Sequence, residues 1–282
     1  MKKITKSIIA LSVLAGLASC AKEQTPVTPD DNDGMVELTL TATQENPETR
    51  TYVGETTTDE VSKKTITAIL WTEGDRMSVF DNTLTNYEFT LSSGAGETSG
   101  TFTGKVAENA TLAFAFYPYS TSMSMSSETG ILSGAELKSE QTAKDGSFDP
   151  ETALMMGMIS NNSIDMGSFA GYVKVTPKFN CKKITLESKS SDDKLSGKLG
   201  IVIGGNTTVT DPSNKVSISG DIKAGKAYYI AVLPVEMTSG FKLIFTMEDG
   251  TEKYREGTKT LKIRASKVKN LGEIKDTDLK VD

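Results

Sequence analysis

Sulfur offers this sequence its most visible route to chemistry. Met123 and Met125 are followed by Met155, Met156 and Met158, with Met166 close behind, and thioethers suit soft metals such as copper. The ligands that usually complete such a site are scarce, because the 282 residues hold no His and only two Cys, Cys20 and Cys181. Flexible thioethers also fill irregular gaps in a core or interface, and the cluster is read that way. The lack of His excludes Ser-His-Asp and Cys-His nucleophilic systems and His-based zinc sites. The 37 carboxylates could supply a pair across a cleft for glycoside hydrolysis, but no local motif sets two of them together. Gly94, Gly96 and Gly100 have a faint look of a phosphate loop. They lie between two Phe-bearing strand runs with no Gly-Lys-Ser/Thr after them, so a hairpin turn is expected. Asp30 to Gly34 has a calcium-loop look, but Pro29 and Leu40 stand where an EF-hand needs its first and closing ligands. We expect no enzyme, no metal and no cofactor.

The first twenty residues carry a different chemistry. Lys2, Lys3 and Lys6 precede an apolar run from Ile8 to Leu17, too short to span a bilayer and like the core of a signal peptide. It ends in Leu17-Ala18-Ser19-Cys20, which resembles a bacterial lipobox, in which the Cys is lipidated and becomes the mature N-terminus. Residues 1–19 are thus read as a lipoprotein signal peptide and Cys20 as the lipidation site. A lipoprotein Cys bears several acyl chains, enough for stable anchoring where one chain is marginal. Losing Lys2, Lys3 and Lys6 leaves 28 basic against 37 acidic groups, a net charge of −9 instead of −6. So acidic a chain is a poor ligand for nucleic acid or anionic lipid. With Cys20 lipidated, Cys181 has no disulfide partner and is read as a small buried hydrophobe.

These groups must be positioned by strands. Residues 20–34 are Thr-, Pro- and Asp-rich with little to bury, and read as a flexible tether. Period-two alternation then dominates. Val36, Leu38, Leu40 and Ala42 share one face of Met35 to Thr43, and similar patterns occur at Tyr87 to Leu91, Phe241 to Phe245 and Leu261 to Ile263. Leu112 to Tyr117 and Tyr228 to Leu233 are continuous apolar runs, as in strands buried on both faces. Only Pro150 to Met158 could form a short helix. Turn-rich Ser160 to Ser168 suggests a division into an N-terminal β-sandwich, residues 35–165, and a C-terminal one, residues 166–282. Trp71, Tyr117 and Tyr119 are read as core packing. Lys182, Lys183, Lys189, Lys194 and Lys198 alternate with aliphatics and read as a solvated sheet face.

One ordered set of segments resembles the fimbrillin (Mfa-like) family of lipoproteins from Gram-negative anaerobes. It runs from Leu70-Trp71-Thr72-Glu73-Gly74-Asp75-Arg76-Met77-Ser78-Val79-Phe80 through the turn Ser93 to Phe102. It continues with Phe116-Tyr117-Pro118-Tyr119, Gln141-Thr142-Ala143 and Gly146-Ser147-Phe148-Asp149-Pro150, then Tyr229 to Pro234 and Asn270-Leu271-Gly272. The set covers nearly the whole mature chain. The resemblance implies an all-β outer-membrane lipoprotein with two tandem Greek-key (transthyretin-like) β-sandwich domains, lipid-anchored and surface-exposed. It also implies a place in fimbriae (pili), as a structural, accessory or tip subunit. Arg-specific proteases remove the first strand of many relatives, and the vacated groove accepts a strand from another subunit.

Carried onto this sequence, the resemblance makes Arg50 and Thr51 the candidate processing position, and Val36, Leu38 and Leu40 the inward face of the displaced strand. Arg50 is the first Arg in the chain, the next being Arg76; it could equally be an ordinary Arg at the edge of the next strand. After Ile274, residues 275–282 offer only Leu279 and Val281 as large apolar groups, fewer anchors than a donor strand usually carries. This puts major-subunit status in doubt and keeps a tip, accessory or stand-alone surface role open. The expected partners are the outer membrane through lipid on Cys20 and other fimbrial subunits by strand exchange, with a host protein or glycan ligand as a further candidate. The alternative is a stand-alone surface module that binds glycan or host protein and does not polymerise.

Overall fold

Alternation becomes strand wherever the sequence shows it. The computed structural model describes residues 34–44, 53–58 and 65–281, and nearly all regular structure among them is β. β1 (Met35–Gln44) buries Leu40 and Ala42 completely and turns Thr39 and Thr41 outward. β2 (Val53–Thr58) and β3 (Thr65–Ile69) pair with each other in a ladder of their own. β4 (Arg76–Asp81), β5 (Asn86–Ser93) and β6 (Ser99–Ala107) form an antiparallel meander, and β4 pairs on its other side with β7 (Leu112–Tyr117). Four consecutive residues of β7, Phe114 to Tyr117, are buried, as its continuous apolar run requires.

β8 (Ser124–Met125), β9 (Ile131–Leu137) and β10 (Glu140–Thr142) follow, then the hairpin of β11 (Met155–Ser160) and β12 (Ser163–Ser168). The expected helix over Pro150 to Met158 is a single 3-10 turn, Pro150–Thr152, begun by an Asp149 cap and Pro150, after which the methionines enter β11. Ser160 to Ser168 is turn-rich only at Asn161 and Asn162, which take positive φ (49° and 58°) and form the two-residue hairpin turn. The remainder is strand. Order around this group is β1-β12-β11-β7-β4-β5-β6, and β6 pairs back onto β1 to close the ring.

The later strands are β13 (Gly171–Pro177), β14 (Cys181–Ser188), β15 (Ser196–Val202), β16 (Thr207–Ser213), β17 (Lys215–Ile222) and β18 (Tyr228–Val232). They continue with β19 (Val235–Met237), β20 (Phe241–Thr246), β21 (Glu252–Gly257), β22 (Leu261–Ile263), β23 (Val268–Ile274) and β24 (Lys280–Val281). A sheet ordered β10-β17-β14-β20-β21-β24 faces a three-stranded one, β18-β13-β23. Ile184, Leu186, Ile218 and Phe245 of the first share one apolar cluster with Val173, Val175 and Ile230 of the second, the arrangement of a sandwich.

The ring encloses a second cluster, including Leu40, Phe102, Phe116 and Trp71. Position 165/166 lies within β12, and strands from either side of it pair with one another. β9 lies against β15 and β10 against β17, while Tyr172, Leu199 and Tyr229 join the ring's cluster. Buried Gln141 ties the halves further, donating to the Ala231 carbonyl at 2.8 Å and accepting from the Ala231 N–H at 3.0 Å. Among the described residues no helix is long and apolar enough to cross a membrane.

Candidate functional site: the first strand in its groove

β1 is held unequally by its two neighbours. Nine antiparallel pairs run along β6, from Met35 opposite Ala107 to Thr43 opposite Ser99. On the other side four parallel pairs join Thr41–Gln44 to Ser163–Met166 of β12. The N-terminal half of β1 therefore leans on β6, and its C-terminal half is held on both edges. Val36, Leu38 and Leu40, the residues expected to plug a groove, all face the ring's core: Leu40 is fully buried, while Val36 and Leu38 are half-buried against the cluster. Ala42 completes the series and is fully buried.

The floor opposite these four residues alternates in size. Val36 lies opposite Val106, Leu38 opposite Gly104, Leu40 opposite Phe102, and Ala42 opposite Gly100. The two glycines leave room that aromatic rings fill. A Cβ on Gly104 would come within 2.5 Å of the Phe89 ring, and one on Gly100 within 2.8 Å of the Trp71 ring and 2.6 Å of Leu91. Trp71 meets Phe102 and Tyr117 edge-on, with ring centroids 4.9 and 5.4 Å apart, a favoured aromatic geometry. Its indole N–H donates to the Ala42 carbonyl at 3.2 Å in a buried setting. Outward, Thr43 and Ser99 share a hydroxyl hydrogen bond of 3.0 Å across the two strands.

Trp71 is core, as expected, and it is also a contact to the strand at issue. The turn at Gly94 and Gly96 holds it in place: the Trp71 N–H donates to the Glu97 carbonyl at 3.0 Å, and the Gly96 N–H donates to the Trp71 carbonyl at 2.8 Å. Gly94 has φ of +93°, and a Cβ there would stand 2.5 Å from the Ser99 carbonyl oxygen, so glycine is required. The expected hairpin turn is present, and its hold on Trp71 is what the sequence reading missed. A local clue was available in the adjacency of Leu70-Trp71 and Gly94-Ala95-Gly96 within the resembling segments. Their spatial pairing was not legible.

Behind Trp71 the Tyr117 hydroxyl donates to Asp75 Oδ1 at 2.9 Å. Burial and then the Asp75 charge hold that phenol well above its usual range. Asp81, at the far end of β4, is nearly inaccessible. Burial raises its carboxyl pKa, but donors from Thr83, Thr85 and Tyr87 at 2.7 to 3.0 Å outweigh that and leave it lowered.

The other candidate groups are scattered. Cys20, Arg50 and Thr51 lie outside the described residues. Cys181 is buried in the sandwich cluster, and burial pushes its thiol up to about 12, which makes it a poor nucleophile. Met123, Met155 and Met166 are buried core groups, Met125 and Met156 pack against the core, and Met158 is 55% exposed. Of the Lys series, Lys183 pairs with Glu140, Lys189 with Glu256 and Lys198 with Asp211, at 2.8 to 3.1 Å, a mixed-charge surface rather than a basic patch. A hollow of about 490 Å³ lies over Ser133, Glu136, Lys198, Thr208 and Thr210.

No protein-family model matches the chain, and no curated protein matches it. Solved structures do. A Bacteroides uniformis protein, provisionally named for cell adhesion, superposes with a TM-score of 0.52 at 15% identity, covering 90% of this chain and 97% of that one. The chain has that protein's fold. A Bacteroides ovatus protein with the same provisional name matches with a TM-score of 0.47 at 16% identity, over 80% of this chain and 92% of that chain. A fimbrial protein from the same species matches with a TM-score of 0.34 at 12% identity, over 74% and 46%. At 15% identity the likeness to the Bacteroides uniformis protein is one of fold.

Proposed function

We propose that this chain is a fimbrillin-like surface lipoprotein, a structural, accessory or tip subunit of fimbriae that contributes to adhesion and assembles by strand complementation. Its partners are other fimbrial subunits. Cys20 carries the lipid that holds it at the outer membrane, and residues 21–34 lift the folded part clear of the bilayer. Cleavage between Arg50 and Thr51 severs β1 from the rest of the ring. The protein acts by binding and performs no catalysis.

The observation that carries this reading is the place of β1. It is the strand through which the ring closes, it bears four inward residues, and its link to β4 runs through the Arg50 segment. Taking it away exposes Leu40 and Ala42 positions that are dry in the intact ring and unpairs both β6 and β12. An apolar groove flanked by two open strand edges is what a donated strand repairs, through ladder hydrogen bonds and alternate side chains. Each buried branched aliphatic adds about 1.5–3 kcal/mol of burial to that repair.

The test is limited digestion of the mature protein with an Arg-specific protease. One cut after Arg50, followed by ladder-like oligomers on a non-boiled gel, is the expected result. A protein that stays monomeric once cut would leave the stand-alone binding module as the better reading.

A further inference from the structure

A groove that accepts replacement strands has to choose among them, and the contacts of β1 show how. On the strand-replacement reading above, we infer that the groove selects its occupant by side-chain size at one position, with Trp71 as the gauge. The strand it fits comes from a partner subunit, runs antiparallel to β6, and presents branched aliphatics opposite Val106, Gly104 and Phe102. Opposite Gly100 it presents a residue no larger than alanine.

The reasoning follows the floor of the groove. At Leu38 the Phe89 ring fills the room beside Gly104, but the position is only half-buried, so a long aliphatic can extend along the cluster toward the surface. At Ala42, which is fully buried, the Trp71 ring fills the room beside Gly100 and no such outlet to the surface exists. That ring cannot swing aside without cost. Its indole N–H donates to the Ala42 carbonyl, its backbone is tied on both sides to the 94–97 turn, and Phe102 and Tyr117 meet it edge-on. The polar partner is a backbone carbonyl, which any residue supplies, so this bond secures whichever strand is present while the ring limits the side chain. Interiors packed in this way resist even a few added methylenes. The outward residues of β1, Glu37, Thr39 and Thr41, are exposed and carry no comparable constraint.

The experiment uses the chain cut after Arg50 and labelled decapeptides of the Met35–Gln44 sequence, with binding read by anisotropy and by emission of Trp71, the only Trp. The native peptide and its Ala42→Gly version should bind within about threefold of one another. The Ala42→Leu version should bind about tenfold or more weakly, as overpacking a filled core predicts. In a Trp71→Leu chain, or Trp71→Phe should that variant not fold, most of this penalty should vanish. An Ala42→Leu peptide that binds as well as the native one, or a penalty unchanged by altering Trp71, overturns the size limit. If no peptide exchanges, native included, strand replacement is what has failed, and the uncut chain still decides the gauge. There Ala42→Leu must shift the urea midpoint down further than Ala42→Gly, and the Trp71 variant must relieve it; equal shifts refute it.

Discussion

The first and last described strands are bound in opposite ways. β1 offers ten residues, pairs along β6 and partly along β12, and places Leu40 and Ala42 in a dry interior. β24 offers two residues, pairs with β21 at Lys253 and Tyr254 only, and leaves Val281 63% exposed. The first strand completes a core, whereas the last lies on the edge of one. Removing the first uncovers a groove; removing the last uncovers little. If assembly runs by strand exchange, as proposed, this chain serves as acceptor rather than donor, because a donor strand needs several alternate anchors and β24 with Leu279 supplies few.

The sharpest way to break this contrast is to truncate inside β1. Leu40→Ala should lower unfolding stability by about 2–5 kcal/mol, the range for a fully buried leucine, read from urea unfolding. A loss under about 0.5 kcal/mol would mean that β1 is not part of the cooperative core. Next comes the floor of the groove. Gly100→Ala sets a methyl against Leu91 and Trp71 at 2.6 and 2.8 Å and should cost about 1–3 kcal/mol by overpacking, with a shift in Trp71 emission. An unchanged midpoint and spectrum would show that the ring has room to move, which undoes the argument for a tight seat.

Acid should act differently on the buried carboxylate of the ring and on carboxylates in surface ion pairs. Asp81 has a folded pKa below its ordinary value of 3.8. Its contribution is therefore complete above the unfolded carboxylate pKa and is lost as pH falls through the lowered folded value. Because Asp81 is buried in a net of donors, that loss should persist in added salt. Asp211 and Glu256 are lowered chiefly by hydrogen bonds from Lys198 and Lys189; Asp211 is exposed and Glu256 half-exposed at the surface, and salt should screen them. Asp81→Asn should flatten the acid limb of stability against pH at high salt, and an acid limb identical to the parent's there would reject this assignment. The smallest effect belongs to the other end: Val281→Ala should change stability by no more than about 0.5 kcal/mol, as surface substitutions do. A larger loss would make β24 a core strand and erase the asymmetry.

Some of this was readable beforehand. The face of β1 and the doubly buried runs at β7 and β18 follow from local alternation and apolar content, since side chains of a strand alternate whatever lies next to it, and the burial of Cys181 follows from the usual place of an unpaired thiol. Even the seat of β1 was half legible, because Val36, Leu38, Leu40 and Ala42 announce an inward face. What they face was not. β12 was hidden in a stretch read as turn, because Ser163, Asp165, Gly167 and Ser168 look like loop residues unless a parallel neighbour is known to pair with them.

Composition and periodicity alone determined that this chain is all-β, acidic, free of His, and led by an apolar segment ending in Cys20. Tertiary structure decided which strands touch: β1 against β6 and β12, β9 against β15, β10 against β17, and Trp71 against Ala42. The reason is physical. Alternation is a property of one strand and is written in its own residues, while pairing is a choice among distant strands. Pairing is settled only when loop closure, ladder hydrogen bonds and core volume are satisfied together.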